Sequence, residues 1–83
     1  MKTRVFNFTK LEQQIIKYLL LGYATKEIAA ILKHSVHTVA TYLKQLYIKL
    51  DIHHNFELTV HALYMGFSVD LSKREVFYND VLI

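Results

Sequence analysis

The 83-residue chain has no cysteine, no proline and only two glycines, Gly22 and Gly66. Without cysteine there are no disulfides and no cysteine-based zinc sites, so stability must come from packing, as suits a reducing cytoplasm. Without proline, low-complexity runs or internal repeats, nothing marks a linker or a second domain, and residues 1–83 read as one domain. No stretch approaches the ~20 apolar residues needed to span a membrane. Lys2 and Arg4 are not followed by the apolar run of a secretory signal. These absences lead us to expect a soluble, cytoplasmic protein with no membrane partner.

What is present is apolar surface, 53% of residues, which argues against global disorder. A chain this short buries only about 60% of the surface its unfolded form exposes, so its core is thin and dimerisation would help it. The net charge of +3 is unevenly spread. Residues 1–67 hold eight Lys/Arg against four Asp/Glu, a balance of +4, leaving −1 for residues 68–83. No acidic residue occurs from Ile28 to Leu50, whereas Lys33, Lys44 and Lys49 do. An anionic partner meets no local repulsion along that stretch, although an ordinary solvated face has the same pattern.

Thr9-Lys10-Leu11-Glu12 has the form of a capping box, and Leu11, Ile15, Ile16, Leu19 and Leu20 follow at helical spacing. Gly22 is placed to close this first helix near Leu21. Thr25 is the expected N-cap of a second helix of barely two turns, with Ile28, Ala29, Ile31 and Leu32 on its apolar face. Ser35 then caps a third helix, about Val36–Leu50, after a gap of three or four residues, which is a helix-turn-helix spacing. At ~100° per residue, Val36, Val39, Leu43, Leu46, Tyr47 and Leu50 fall on one side and should face the core. His37, Thr38, Thr41, Lys44, Gln45 and Ile48 fall on the other, a polar and weakly basic strip.

Asp51 to Asn55 read as a loop, and Phe56, Leu58, Val60, Ala62, Leu63 and Tyr64 as a fourth helix ended by Gly66. That helix is apolar on more than one face, as expected of an interface shared with a second copy. Residues 68–83 leave two readings open. Ser72-Lys73-Arg74-Glu75 has the form of a capping box for a short helix, while Val76-Phe77-Tyr78 and Val81-Leu82-Ile83 have the composition of strands. In either case Val76, Phe77, Tyr78, Val81 and Leu82 should cover the domain or a partner.

The ordered set Phe8-Thr9-x-x-Glu12, Gly22-x-x-x-Lys26-Glu27-Ile28-Ala29, Ser35-Val36-x-Thr38-Val39 and Lys49-Leu50 resembles the LuxR/GerE-type helix-turn-helix domain. The resemblance extends over about residues 8–67, through Asp51-Ile52, Glu57-Leu58 and Leu63-x-x-Gly66-Phe67, leaving 68–83 as a C-terminal extension. It implies an all-α, four-helix domain and a bacterial, nucleoid-associated regulator of transcription, with no cofactor and no enzymatic activity. It also implies a homodimer on double-stranded DNA, paired through the fourth helix at Phe56, Val60, Leu63 and Tyr64. Base contacts would come from Ala40, Thr41 and Lys44, and phosphate contacts from Lys26, Lys33, Ser35, His37, Thr38 and Lys49. Three positions depart from the family pattern: Ala40 where a basic residue is common, Asp51 where glycine is common, and Asn55 where arginine is common.

One domain of this length is expected to hold no phosphoacceptor or ligand-sensing unit, so activity should follow concentration, a partner protein or another regulator. A competing expectation, encouraged by Ala40, is a protein-interaction module that binds another transcription regulator or an RNA polymerase subunit through the fourth helix and the apolar tail. The pairs His34-x-x-His37 and His53-His54 lack the further ligands a metal site needs, and no nucleophile with an evident base appears. His34 and His37 would instead add pH-sensitive charge near phosphate, His61 reads as structural, and the six tyrosines read as packing residues.

Overall fold

A computed structural model describes residues 7–83. Four helices, α1 (Lys10–Leu20), α2 (Thr25–Leu32), α3 (Val36–Leu50) and α4 (Asn55–Tyr64), are followed by strands β1 (Phe67–Asp70), β2 (Glu75–Tyr78) and β3 (Val81–Leu82). The expectation of an all-α fold is therefore corrected: the C-terminal residues form a three-stranded antiparallel sheet in the order β1-β2-β3.

Local chemistry sets the helix ends. At the start of α1 the Thr9 N–H donates to Glu12 Oε1 at 2.9 Å and the Glu12 N–H donates to Thr9 Oγ1 at 3.1 Å, the reciprocal pair of the capping box. At its end Gly22, with φ +90°, lets the Tyr23 N–H reach the Tyr18 carbonyl at 2.9 Å and its own N–H reach Leu19 at 3.0 Å. The cap of α2 lies one residue before the expected Thr25, at Ala24. Ala24 has no side-chain acceptor; the first turn relies instead on Glu27, which accepts from the Ala24 N–H at 2.9 Å and places a negative charge at the helix start.

Lys33 (φ 58°) and Asp51 (φ 54°) end α2 and α3 in the left-handed conformation without glycine. At both, the following N–H turns back, His34 to the Ala29 carbonyl at 3.0 Å and Ile52 to Tyr47 at 2.9 Å. Ile52, in the stretch expected to be loop, thereby enters the core at 3% exposure, and Asn55 opens α4 instead of ending the loop.

The apparent capping box at Ser72–Glu75 is a turn. Asp70 Oδ1 accepts from the Ser72 hydroxyl at 2.6 Å, the Ser72 N–H at 3.0 Å and the Lys73 N–H at 3.3 Å. The Ser72 hydroxyl first, and then the Lys73 N–H, hold the Asp70 carboxyl below the usual carboxylate range. Asn79 and Asp80, at φ 50° and 66°, make the two-residue turn into β3. Gly66, at φ +98°, joins α4 to the sheet; its carbonyl accepts from the Asn79 N–H at 2.9 Å, and a Cβ there would run into the Asn79 side chain.

Ile15, Ile16, Ile28, Val39, Leu46, Leu58 and Val76 are fully buried and define one core shared by the helices and the sheet. In the sheet, Phe67 pairs with Tyr78 and Val69 with Val76, placing these four on one face. Phe8 meets the Phe67 and Tyr78 rings edge-on at centroid distances of 5.6 and 5.8 Å, while Phe67 and Tyr78 stack at 4.5 Å. The tail covers the domain only in part, since Val81 and Leu82 stay exposed. Ile31, expected on the inner face of α2, is also exposed, whereas Ile28 and Ala29 are buried in the core and Leu32 packs against it. Among the described residues no helix is long and apolar enough to cross a membrane.

Asp51→Gly should relieve left-handed strain and remove a negative charge from the end of α3, raising stability by about 1 kcal/mol. Gly66→Ala should lower it by about 2 kcal/mol. Thermal melts should therefore shift in opposite directions, by about 4–8 °C per kcal/mol in a domain of this size.

Candidate nucleic-acid interface

Only Lys33, His34 and Ser35 separate α2 from α3. Ser35 starts α3 by accepting the Thr38 N–H at 3.0 Å, and its hydroxyl shares a 2.8 Å hydrogen bond with that of Thr38. Once started, the helix is fixed in rotation by Val39, Leu43, Leu46 and Leu50, all buried. Val36, expected in the core, is 49% exposed, and Tyr47 is half-buried. On the helical wheel both lie about 50–70° from the centre of the buried stripe, at its edge. Burial pushes the Tyr47 phenol up from its ordinary pKa.

The opposite face of α3 is uncovered. His37, Ala40, Thr41, Lys44, Gln45 and Ile48 are exposed, Ile48 at 75%, and Thr38 is half-exposed. No other part of the described chain lies over this strip. The Thr41 hydroxyl donates back to the His37 carbonyl at 2.9 Å, which leaves its oxygen lone pairs and methyl turned outward. Lys44 has no ion-pair partner among the described residues, and its ammonium is the strip's permanent cation. Lys26, in the first turn of α2, and Lys33 and His34, in the connection, are also exposed.

Lys49 does not join them. Its ammonium donates to the Asn7 carbonyl at 2.9 Å, lies 3.6 Å from Glu12 Oε1 and stands 5.0 Å over the Phe8 ring. These contacts tie the end of α3 to the start of α1 and spend the charge inside the subunit. A second tie unforeseen from sequence is Arg74, whose guanidinium reaches the Leu21 carbonyl at 3.4 Å and stands 5.5 Å over the Tyr23 ring. Neither tie has a local signature, because its partners lie tens of residues apart.

On α4, Leu58 and Ala62 face inward. Phe56 (77%), Val60, Leu63 and Tyr64 (87%) face outward, and the last three line a shallow hollow. Tyr64 is thus no packing residue within the subunit, whereas Tyr18, Tyr23, Tyr42, Tyr47 and Tyr78 pack against the core. His61 is half-buried. Among the described residues no three His, Asp or Glu side chains gather as a metal site.

A short-connected pair of helices, the second presenting an uncovered polar strip, defines a helix-turn-helix protein. The model of the family described as bacterial regulatory proteins, luxR family, matches residues 7–62, from the start of the domain through most of α4. The chain belongs to this family and is by that membership a DNA-binding transcription regulator. The family is a DNA-binding regulatory domain and not an enzyme class, and the match lends no support to a pure protein-interaction module. No curated protein and no solved structure matches the chain.

If Lys49 is a tie between helices, Lys49→Met should cost about 1 kcal/mol in a thermal or urea melt. The same variant should leave the salt dependence of DNA binding unchanged; a shallower slope would return Lys49 to the phosphate contacts.

Proposed function

We propose that the protein binds double-stranded DNA as a homodimer, with α3 of each subunit in a major groove at one half of a roughly palindromic site. The observation that carries this reading is the uncovered outer face of α3, from His37 to Ile48. A major groove about 12 Å wide admits one helix, and the burial of Val39, Leu43 and Leu46 sets which face it meets.

On this face Lys44 donates to guanine O6 and N7. Thr41, with its proton committed to His37, accepts from a base amino group or packs its methyl against thymine. Ala40 offers a small apolar contact. Discrimination therefore rests mainly on Lys44. Phosphates are held by Lys26, Lys33, His37 and the Ser35–Thr38 hydroxyl pair, whose shared hydrogen bond leaves one proton to donate outward, helped by the free N–H groups of the first turn of α3.

The apolar outer face of α4 supports the second half of the proposal. Phe56, Val60, Leu63 and Tyr64 repeat at three and four residues on one side of a helix, and their pairing about a two-fold axis would remove this surface from water.

Fluorescence anisotropy on a selected duplex should show affinity falling steeply with salt and a Lys44→Ala loss worth about 1–3 kcal/mol. Binding indifferent to both would reject the α3 reading. In sedimentation, the wild-type chain should be a dimer and Leu63→Asp a folded monomer with weaker DNA binding. A wild-type monomer, or a Leu63→Asp dimer, would reject the α4 interface.

A further inference from the structure

We propose that the turn between β1 and β2, residues 71–74, is a second DNA contact, in which the Lys73 ammonium meets a backbone phosphate beside the groove entered by α3. This rests on the DNA-binding reading above and adds an element outside the matched residues 7–62.

The hairpin starts at Phe67, beside Phe8 at the beginning of α1, and its tip is fastened at the other end of that helix. There the Arg74 guanidinium holds the Leu21 carbonyl and stands over the Tyr23 ring, both in the α1–α2 connection. Two residues beyond Tyr23 the chain enters α2, whose first turn carries the exposed Lys26. In a helix-turn-helix the helix before the recognition helix crosses the DNA backbone. The hairpin tip is thus fastened to the segment that leads into that crossing.

Asp70 Oδ1 takes hydrogen bonds from the Ser72 hydroxyl, the Ser72 N–H and the Lys73 N–H, so the backbone that carries Lys73 is fixed before any partner arrives. A cation on a pre-ordered turn loses little conformational freedom on binding. Arg74 is held in place by the tether, whereas the neighbouring Lys73 is exposed and has no ion-pair partner among the described residues. Asp70 keeps its negative charge, but its Oδ1 is turned to the Ser72 hydroxyl and the Ser72 and Lys73 N–H groups and forms no ion pair with the Lys73 ammonium. A phosphate fits the cation left over, and makes the sheet an extension of the α2–α3 surface.

The test is anisotropy across a salt series with wild type, Lys73→Gln, Lys44→Ala and Lys10→Gln, the last an exposed lysine at the far end of α1. Lys73→Gln should weaken binding several-fold on specific and unrelated duplexes alike and reduce the salt slope by about 0.9, with an unchanged melt. Lys10→Gln should change neither. A Lys73→Gln slope equal to wild type, with Lys44→Ala still weakened, would overturn the hairpin contact and leave the α3 reading standing. No duplex binding by wild type would overturn both.

Discussion

Val39, Leu43, Leu46 and Leu50 share a core with Ile15, Ile16, Ile28 and Leu58, and this packing fixes the rotation of α3 about its axis. A turn of about 100° would exchange buried leucines for Lys44 in one direction or for Thr38 and Lys49 in the other, and place unpaired polar groups in the core. The apolar stripe thus decides both what holds the domain together and which residues it presents. The short Lys33–Ser35 connection and the Ser35 cap set where the helix begins, and the stripe sets its aim.

Around that constraint the molecule adds ties between distant segments. Lys49 joins the end of α3 to Asn7 and Glu12, and Phe8 brings the start of α1 against Phe67 and Tyr78 of the sheet. For a chain of this size, in which surface competes with core, the sheet supplies buried Phe67 and Val76 that the four helices lack. The outer face of α4 is left apolar and uncovered, the feature that leads to a two-fold partner in the proposed assembly.

The helices were legible because their signals are local: the Thr9/Glu12 box, Gly22 after the last apolar residue of α1, Ser35 before α3, and apolar spacing near 3.6. The outer strip of α3 followed from the same periodicity. Sequence and structure differ where local signals are ambiguous or partners are remote. Thr25 looked a better cap than Ala24, but Glu27 supplied the capping contact from inside the helix. Val36 matched the apolar stripe yet lay at its edge. Ser72–Glu75 imitated a capping box, while Asn79-Asp80 signalled a hairpin only weakly without glycine. The sheet depends on Phe8, some sixty residues away, and no spacing rule reports that contact.

The most direct test of the account is amide chemical-shift mapping of the labelled protein titrated with duplex DNA. The largest changes should lie on His37, Thr41, Lys44 and Ile48, with the amides of Leu43 and Leu46 moving less. Changes confined to α4 and the sheet, with the outer strip of α3 unmoved, would contradict it.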